Sequence, residues 1–362
     1  MEATNRGGAI PGRRRKQRVS MADVAKLAGV SSQTVSRVSN GHESVIPATR
    51  DQVLAAMRQL GYRPNSAARA LRYGRFNTIG VILFSLASTG NSRTVEAIAT
   101  HAAAEGYAIT LIPVDVPTQD NVLGAFTRMG ELAVDAVIVI MEIHLLDAAT
   151  VTLPPGVYVV VVDSDAGDRY SVVDTDQADG ARQAVHHLLG LGHETVWHVS
   201  GPETSFASQR RAQAWRSTLE AAGRPVPEPL TGDWSARSGY AAGLSLADEP
   251  GCTAVFVAND QMALGLLRAF HERGRAIPDE VSVVGFDDIP DSAYFPTPLT
   301  TVRQDFAEVG RRCVQRVLTQ IREGQAAQPG TDLVPTQLLI RDSTATAPPV
   351  AETIAARKPK RR

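Results

Sequence analysis

Two patterns of apolar and polar positions divide the chain. Between residues 20 and 62, short apolar stretches are punctuated by capping and breaking residues at helical lengths. Ser20 reads as an N-cap, with Asp23 near the positive end of the helix dipole, so residues 21–27 are predicted as a first helix. Ala28-Gly29-Val30 breaks it. Ser31 caps a second helix to about Ser39, which Asn40-Gly41 ends. Pro47 suits the first turn of a third helix, which runs to Leu60 and stops at Gly61. Asn65 caps a further short segment, 66–72, with Leu71 as its only large aliphatic residue. A helix that short is marginal alone and needs a binding partner or a second copy to hold it.

From Thr78 onward, near-continuous apolar runs recur at 78–84, 108–113, 136–140, 158–162, 195–200, 254–257 and 281–286. Helical stretches at 93–105, 177–189, 208–222, 235–247, 260–273 and 306–323 separate many of them. Buried strands alternating with helices predict parallel α/β sheets. Seven or more strands exceed one small sheet, which predicts two subdomains with a cleft between them. Residues 1–18 read as a flexible basic arm, and residues 344–362 as a disordered tail without leucine heptads.

Composition narrows the class. The 362 residues are 43% hydrophobic and 21% charged, the balance of a globular protein with more than one domain. No apolar run approaches the roughly 18 residues that span a bilayer. Arg13, Arg14, Arg15, Lys16 and Arg18 are followed by no apolar stretch of the kind a secretory signal needs, so a cytoplasmic location is expected. Cys252 and Cys313 are too few and too far apart for a metal motif or a disulfide framework. The net charge of −1 hides an asymmetry: residues 1–75 carry 14 basic and 4 acidic side chains, and the remainder carries 23 and 34. A basic head on an acidic body points to a polyanion, although charge alone fits a solvated face equally well.

The head's chemistry agrees with a polyanion partner. Two short helices joined by a glycine turn are the framework of a helix-turn-helix, whose second helix enters the major groove. Ala25 is small where the helices must meet, and Val30, Val35 and Val38 supply an inner apolar face. Ser32, Gln33, Ser36 and Arg37 are then the outward residues; Gln pairs with adenine edges and Arg with guanine edges. Ser31, Thr34 and Asn40 suit phosphate contacts, which position rather than specify. No phosphate loop, metal-ligand cluster, Ser-His-Asp pattern or convincing carboxylate pair argues for an enzyme, and no cofactor is implied.

The run Ser20-Met-Ala-Asp-Val-Ala-Lys-Leu-Ala-Gly-Val-Ser-Ser-Gln-Thr-Val-Ser-Arg-Val resembles the DNA-binding head of the LacI/GalR family. So do Thr49-Arg50 and Gly61-Tyr62-Arg63-Pro64-Asn65. In the body, Gly232-Asp-Trp-Ser235, Val257-Ala-Asn-Asp-Gln-Met-Ala-Leu-Gly265, Ser282-Val-Val-Gly-Phe-Asp-Asp288, Pro298-Leu-Thr-Thr301 and Gln304-Asp305-Phe306 continue the resemblance in order. It covers about residues 19–343.

The resemblance implies a small all-α helix-turn-helix head (19–64), a hinge helix and linker (65–75), and an α/β body of the periplasmic-binding-protein type (76–343). The body would hold two parallel-sheet subdomains, 76–175 with 305–333 and 176–304 with 334–343. It implies a homodimeric repressor on a palindromic operator of double-stranded DNA, released by a small saccharide, with no membrane partner. Asn65 and Leu71 would act at the hinge, Leu71 as a wedge between base steps in the minor groove. Asp163, Arg211, Trp234, Asn259, Asp287 and Gln304 match effector-contacting positions, with Trp234 as the stacking face and the polar groups for hydroxyls. The wall departs from the family at Phe84, Ser88, Asn91, Ile140 and Met141, where Phe84 narrows the pocket or stacks on a second ring. Ile46 replaces a capping serine. Ser32 replaces a bulkier groove-contacting residue, so operator preference does not carry over.

Overall fold

The predicted caps at Ser20, Ser31 and Gly61 are in place in a computed structural model of the chain, which describes residues 19–39, 42, 44–62, 74–86, 88–114, 119–140, 157–164 and 170–349. The chain falls into two units, Met1–Phe76 and Asn77–Arg362. In the first unit Ser20 and Asp23 form a reciprocal capping box at the start of α1 (Met21–Leu27). Gly29 turns the chain at φ 61°, a conformation cheap only for glycine. In α2 (Ser32–Ser39) the buried positions are Val35 and Val38, which pack on Val24, Ala25 and Ala28 of the first helix and turn. In α3 (Pro47–Leu60) Val53, Ala56 and Met57 complete this core, and Gly61 closes the helix at φ 65°. Ile46 precedes α3 without a side-chain cap.

The second unit is built from two parallel sheets. The first takes the order β2 (Ala108–Pro113), β1 (Thr78–Leu83), β3 (Ala136–Ile140), β4 (Tyr158–Val162), β5 (Ser171–Thr175), β11 (Gly330–Val334). Strands such as Ala-Val-Ile-Val-Ile are buried at every position because helices cover both faces. One face packs Ile98 of α4 (Thr89–Ala104) and Val314, Val317 and Leu318 of α10 (Phe306–Glu323). The other packs Phe126 and Met129 of α5 (Gln119–Glu131).

The second sheet takes the order β7 (Leu230–Thr231), β6 (Trp197–Ser200), β8 (Ala254–Val257), β9 (Ser282–Asp287), β10 (Thr300–Arg303), β12 (Gln337–Leu339), with β12 antiparallel. Its faces are covered by α6 (Gln177–Gly190) with α7 (Phe206–Ala221), and by α8 (Ala236–Ala247) with α9 (Asp260–Glu272). The last two helices approach closely: a Cβ on Gly265 would lie 1.8 Å from the Ala236 carbonyl oxygen.

The chain passes between the sheets three times, after β5, after β10 and after β11. The crossings are tied to one another. Asp176 N–H donates to the Val334 carbonyl at 2.9 Å, Thr336 Oγ1 to the Asp176 carbonyl at 3.4 Å, and Gln177 Nε2 to Gln304 Oε1 at 3.2 Å.

Two expectations need correction. The predicted tail begins as ordered structure: Thr344 Oγ1 meets His187 Nε2 at 3.0 Å, Ala345 N–H donates to Ser282 Oγ at 3.0 Å, and Ala347 N–H to the Leu191 carbonyl at 2.9 Å. These bonds satisfy polar groups at the end of the second sheet, which an absent tail would leave unpaired. Val334 pairs with Thr175 in the first sheet, so the last crossing falls after it rather than before. No described helix is long and apolar enough to cross a membrane.

Candidate functional site

Parallel strands deliver their carboxyl ends to one side of a sheet, and ligands gather there. Asp163 follows β4, Asp287 ends β9, Asn259 follows β8 and Gln304 follows β10. All four line one cavity between the sheets, together with Arg211 of α7 and Trp234. Ser88, Asn91 and Ile140 line it as well. Phe84 does not. It borders a neighbouring cavity at the mouth of the cleft, which shares Ser88, Asn91, Trp234 and Asn259 with the first. Asn40, Asn65, Leu71 and Met141 lie outside the described residues.

The polar groups are held by one another. Arg211 donates from Nε to Gln177 Oε1 at 2.8 Å and from Nη1 to the Ala258 carbonyl at 2.5 Å. Its guanidinium lies 3.7 Å from the centroid of the Phe286 ring and 5.6 Å from that of Trp234. Gln304 Nε2 donates to Asp287 Oδ1 at 2.6 Å, and Arg211 Nη1 stands 3.8 Å from the same oxygen. Such a network fixes side chains in a low-dielectric site before any ligand arrives. Asn259 has two jobs: Oδ1 accepts from Met262 N–H to cap α9, while Nδ2 donates to the Trp234 carbonyl at 3.1 Å and to Gln261 Oε1 at 3.0 Å. Trp234 can lie along the wall because residue 201 is glycine; a Cβ there would come within 2.3 Å of the indole.

Three of the site residues carry positive φ: Asp163 at 54°, Trp234 at 71° and Asp287 at 111°. Non-glycine residues in that region are strained, and such strain collects at ligand sites. Burial pushes the Asp287 carboxyl up to about 6, against the lowering influence of Arg211 and Gln304. Burial also raises Asp163, whose Oδ1 is buried with no hydrogen-bond partner.

Sequence reasoning missed Asp174, Thr175 and Gln177, which line the same cavity. The signal was available: an aspartate inside the apolar run Ser-Val-Val-Asp-Thr is costly in a buried strand unless it is paired. Arg210 supplies the partner, donating to Asp174 Oδ2 and to the Ser164 carbonyl at 3.0 Å.

In the first unit Ser32, Gln33 and Arg37 are exposed along α2, and Ser36 is half-buried. Ser31 and Thr34 are engaged locally: Ser31 Oγ accepts from Thr34 N–H at 3.1 Å, and the two hydroxyls meet at 2.9 Å.

A turn-linked helix pair with an outward polar face, beside a two-sheet body with a polar cleft, defines a ligand-binding DNA regulator. A family model for bacterial regulatory proteins of the lacI family matches residues 20–65, and one for a periplasmic binding protein-like domain matches residues 185–344. The lactose operon repressor of Escherichia coli K12 is 37% identical over 336 residues, covering 90% of this chain and 91% of its own. The regulator CelR of Thermobifida fusca is 33% identical, covering 91% and 99%. Among solved structures, the lac repressor dimer bound to operator and the anti-inducer ONPF superposes with a TM-score of 0.80 at 34% identity, covering 91% of this chain and all of that one. A CelR–cellobiose complex gives 0.64 at 30% identity, covering 90% and 100%. The chain belongs to the lacI family of bacterial regulatory proteins.

Proposed function

We propose that this chain is a transcriptional repressor that holds a palindromic operator as a homodimer and releases it when a small neutral saccharide fills the cleft. The observation that carries this reading is the convergence of Asp163, Arg211, Trp234, Asn259, Asp287 and Gln304 on one cavity between the two sheets. An indole face with several fixed hydrogen-bonding groups suits a pyranose, and the unpartnered Asp163 Oδ1 is an acceptor that a ligand hydroxyl would satisfy. The relatives point the same way: one is a repressor dimer on operator DNA, and another a regulator with cellobiose. Ser32, Gln33, Ser36 and Arg37 would read base edges, with Ser31, Thr34 and Asn40 on phosphates and Asn65 and Leu71 at the hinge.

Control requires the saccharide to prefer the arrangement that fits DNA poorly, since equal affinity for both arrangements would shift nothing. The test is fluorescence anisotropy of a duplex from upstream of the protein's own gene, at fixed salt, with lactose, cellobiose, galactose and ribose added in turn. One sugar should lower DNA affinity, and Asp287→Ala should abolish that response while leaving DNA binding intact. A sugar that tightens binding would make the ligand a corepressor. No response from any sugar would remove the saccharide assignment.

A further inference from the structure

Away from the chain crossings, side-chain hydrogen bonds among the described residues bridge the cleft at Gln261 and at Arg210. At its mouth Gln261 Nε2 donates to Thr89 Oγ1. At its floor Arg210, on α7 of the second sheet's layer, reaches Asp174 of β5 and the Ser164 carbonyl after β4, both in the first sheet. The floor bridge is the one that carries charge. Asp174 is only 2% exposed, whereas the Arg210 side chain is 28% exposed. Asp174 is also close enough to Asp163 for the two carboxylates to repel, and Asp163 has a buried oxygen without a partner. Bringing two carboxylates out of water beside each other is costly. A guanidinium delivered from the opposite layer offsets that cost, and it can do so only while the layers are together. Asp174 lines the ligand cavity and Arg210 does not, so the pair ties the cavity's edge to the opposite layer.

We propose that the Arg210–Asp174 ion pair is a cross-cleft latch that sets the balance between closed and open arrangements of the two sheets, and through it the affinity for the effector. This deepens the ligand-control reading above and rests on it. Arg210 is a positioning residue: it supplies the countercharge that makes closure over the acidic floor favourable. Asp174 is the half of the pair that cannot reach solvent when the cleft is shut. Removing Arg210 therefore leaves both Asp174 and Asp163 without its countercharge, whereas removing Asp174 as well leaves Asp163 alone, which Arg211 still faces.

The experiment uses the full chain, spin-labelled at Glu131→Cys on α5 and Glu220→Cys on α7, diluted with unlabelled protein. Distances are read by double electron–electron resonance, and binding of lactose and of cellobiose by calorimetry. Arg210→Leu should shift the distance distribution away from the wild-type maximum. It should also weaken whichever sugar the wild type binds by tenfold or more. Adding Asp174→Leu to Arg210→Leu should restore much of the wild-type distance distribution, the readout that does not depend on Asp174's own place in the cavity lining. If Arg210→Leu fails to fold, Arg210→Lys replaces it: lysine keeps a charge near Asp174 but loses the fork that also holds Ser164, so an intermediate shift is expected. Unchanged distances in the single variant, or losses that simply add in the double, would overturn the latch. Should the wild type bind neither sugar, the saccharide reading fails, and the distances still decide the ion pair.

Discussion

The head and the cleft use polar side chains in opposite ways. On α2 the residues that matter are exposed, and they sit over a core of small aliphatic side chains. In the cleft Arg211, Asn259, Asp287 and Gln304 are buried, and Arg211, Gln177, Gln304 and Asp287 are tied into one network with the Ala258 carbonyl. An exposed recognition face costs nothing to desolvate until DNA arrives, so its strength depends on salt and on the partner's charge. A buried polar floor is desolvated in advance, so its strength depends on whether every donor and acceptor is met. Head variants should therefore change how tightly DNA is held, and cleft variants should change whether a ligand is heard.

The largest test of that division is Gly265→Ala. With the Ala236 carbonyl 1.8 Å from the new Cβ, α8 and α9 must separate, at about 3 kcal/mol or more. Calorimetry should show the main transition of the body fall, while a melt of the head followed by hydrogen exchange at Val35 and Val53 stays put. Loss of head protection in the same variant would break the comparison.

The acidic floor provides the second test. Burial and Asp163 push Asp174 up to about 7, above its ordinary 3.8. The folded state then binds more protons than the unfolded one across that window, so this group's contribution to stability falls as pH rises from about 4 to 7. His198 is held neutral by burial, down to about 4, and pulls the other way: its contribution is lost as pH falls below 6.5. The Asp174 effect is accordingly read as a difference. Asp174→Asn should melt with a flatter fall between pH 4 and 7 than the wild type, and about 1 kcal/mol corresponds to 2–4 °C in a body of this size. Parallel curves would show that Asp174 stays charged throughout.

Gln33→Ala and Arg37→Ala sharpen the other side. Each should weaken operator binding by about 1–3 kcal/mol if its side chain reads a base, with sugar response unchanged in fractional terms. An equal loss on unrelated duplex DNA would reassign the residue to phosphate contact. The smallest expected effect is a gain. Ile46 is 66% exposed at an uncapped helix start, so Ile46→Ser should stabilise the head by about 1 kcal/mol. Unchanged urea midpoints of head hydrogen exchange would count against it.

The head was almost fully legible because its signals are local. Ser20 with Asp23, Gly29, Pro47 and Gly61 mark boundaries within a few residues of the elements they limit. Strands were legible too: the edge strand 108–113 and the buried inner strands 136–140, 158–162 and 254–257 coincide with observed strands. The failures have physical causes. Helix α4 begins at Thr89 rather than 93, because Thr-Gly-Asn-Ser are poor helix formers held there by position, with Ser92 Oγ bonded to the Leu86 carbonyl. Strands β5, β10, β11 and β12 are short or polar, and β11 pairs only with β5, which lies far away in sequence. Helix α5 was absent from the helical stretches read. The strand-end rule and the family motifs together drew attention to most of the cleft's first ring of side chains. Asp174 carried a local signal, an aspartate in an apolar strand run, whereas the role of Gln177 exists only once the crossings bring it to Gln304 and Arg211.

Those crossings have a mechanical consequence. Three strips of chain, bonded edge to edge at Asp176, Val334 and Thr336, and again between Gln177 and Gln304, form a flexure. A flexure of parallel strips resists shear and twist while yielding readily to bending about one axis. A ligand that moves one sheet against the other through these strips should therefore do so as a change in a single angle. Chemically different effectors that produce the same angle would be indistinguishable downstream.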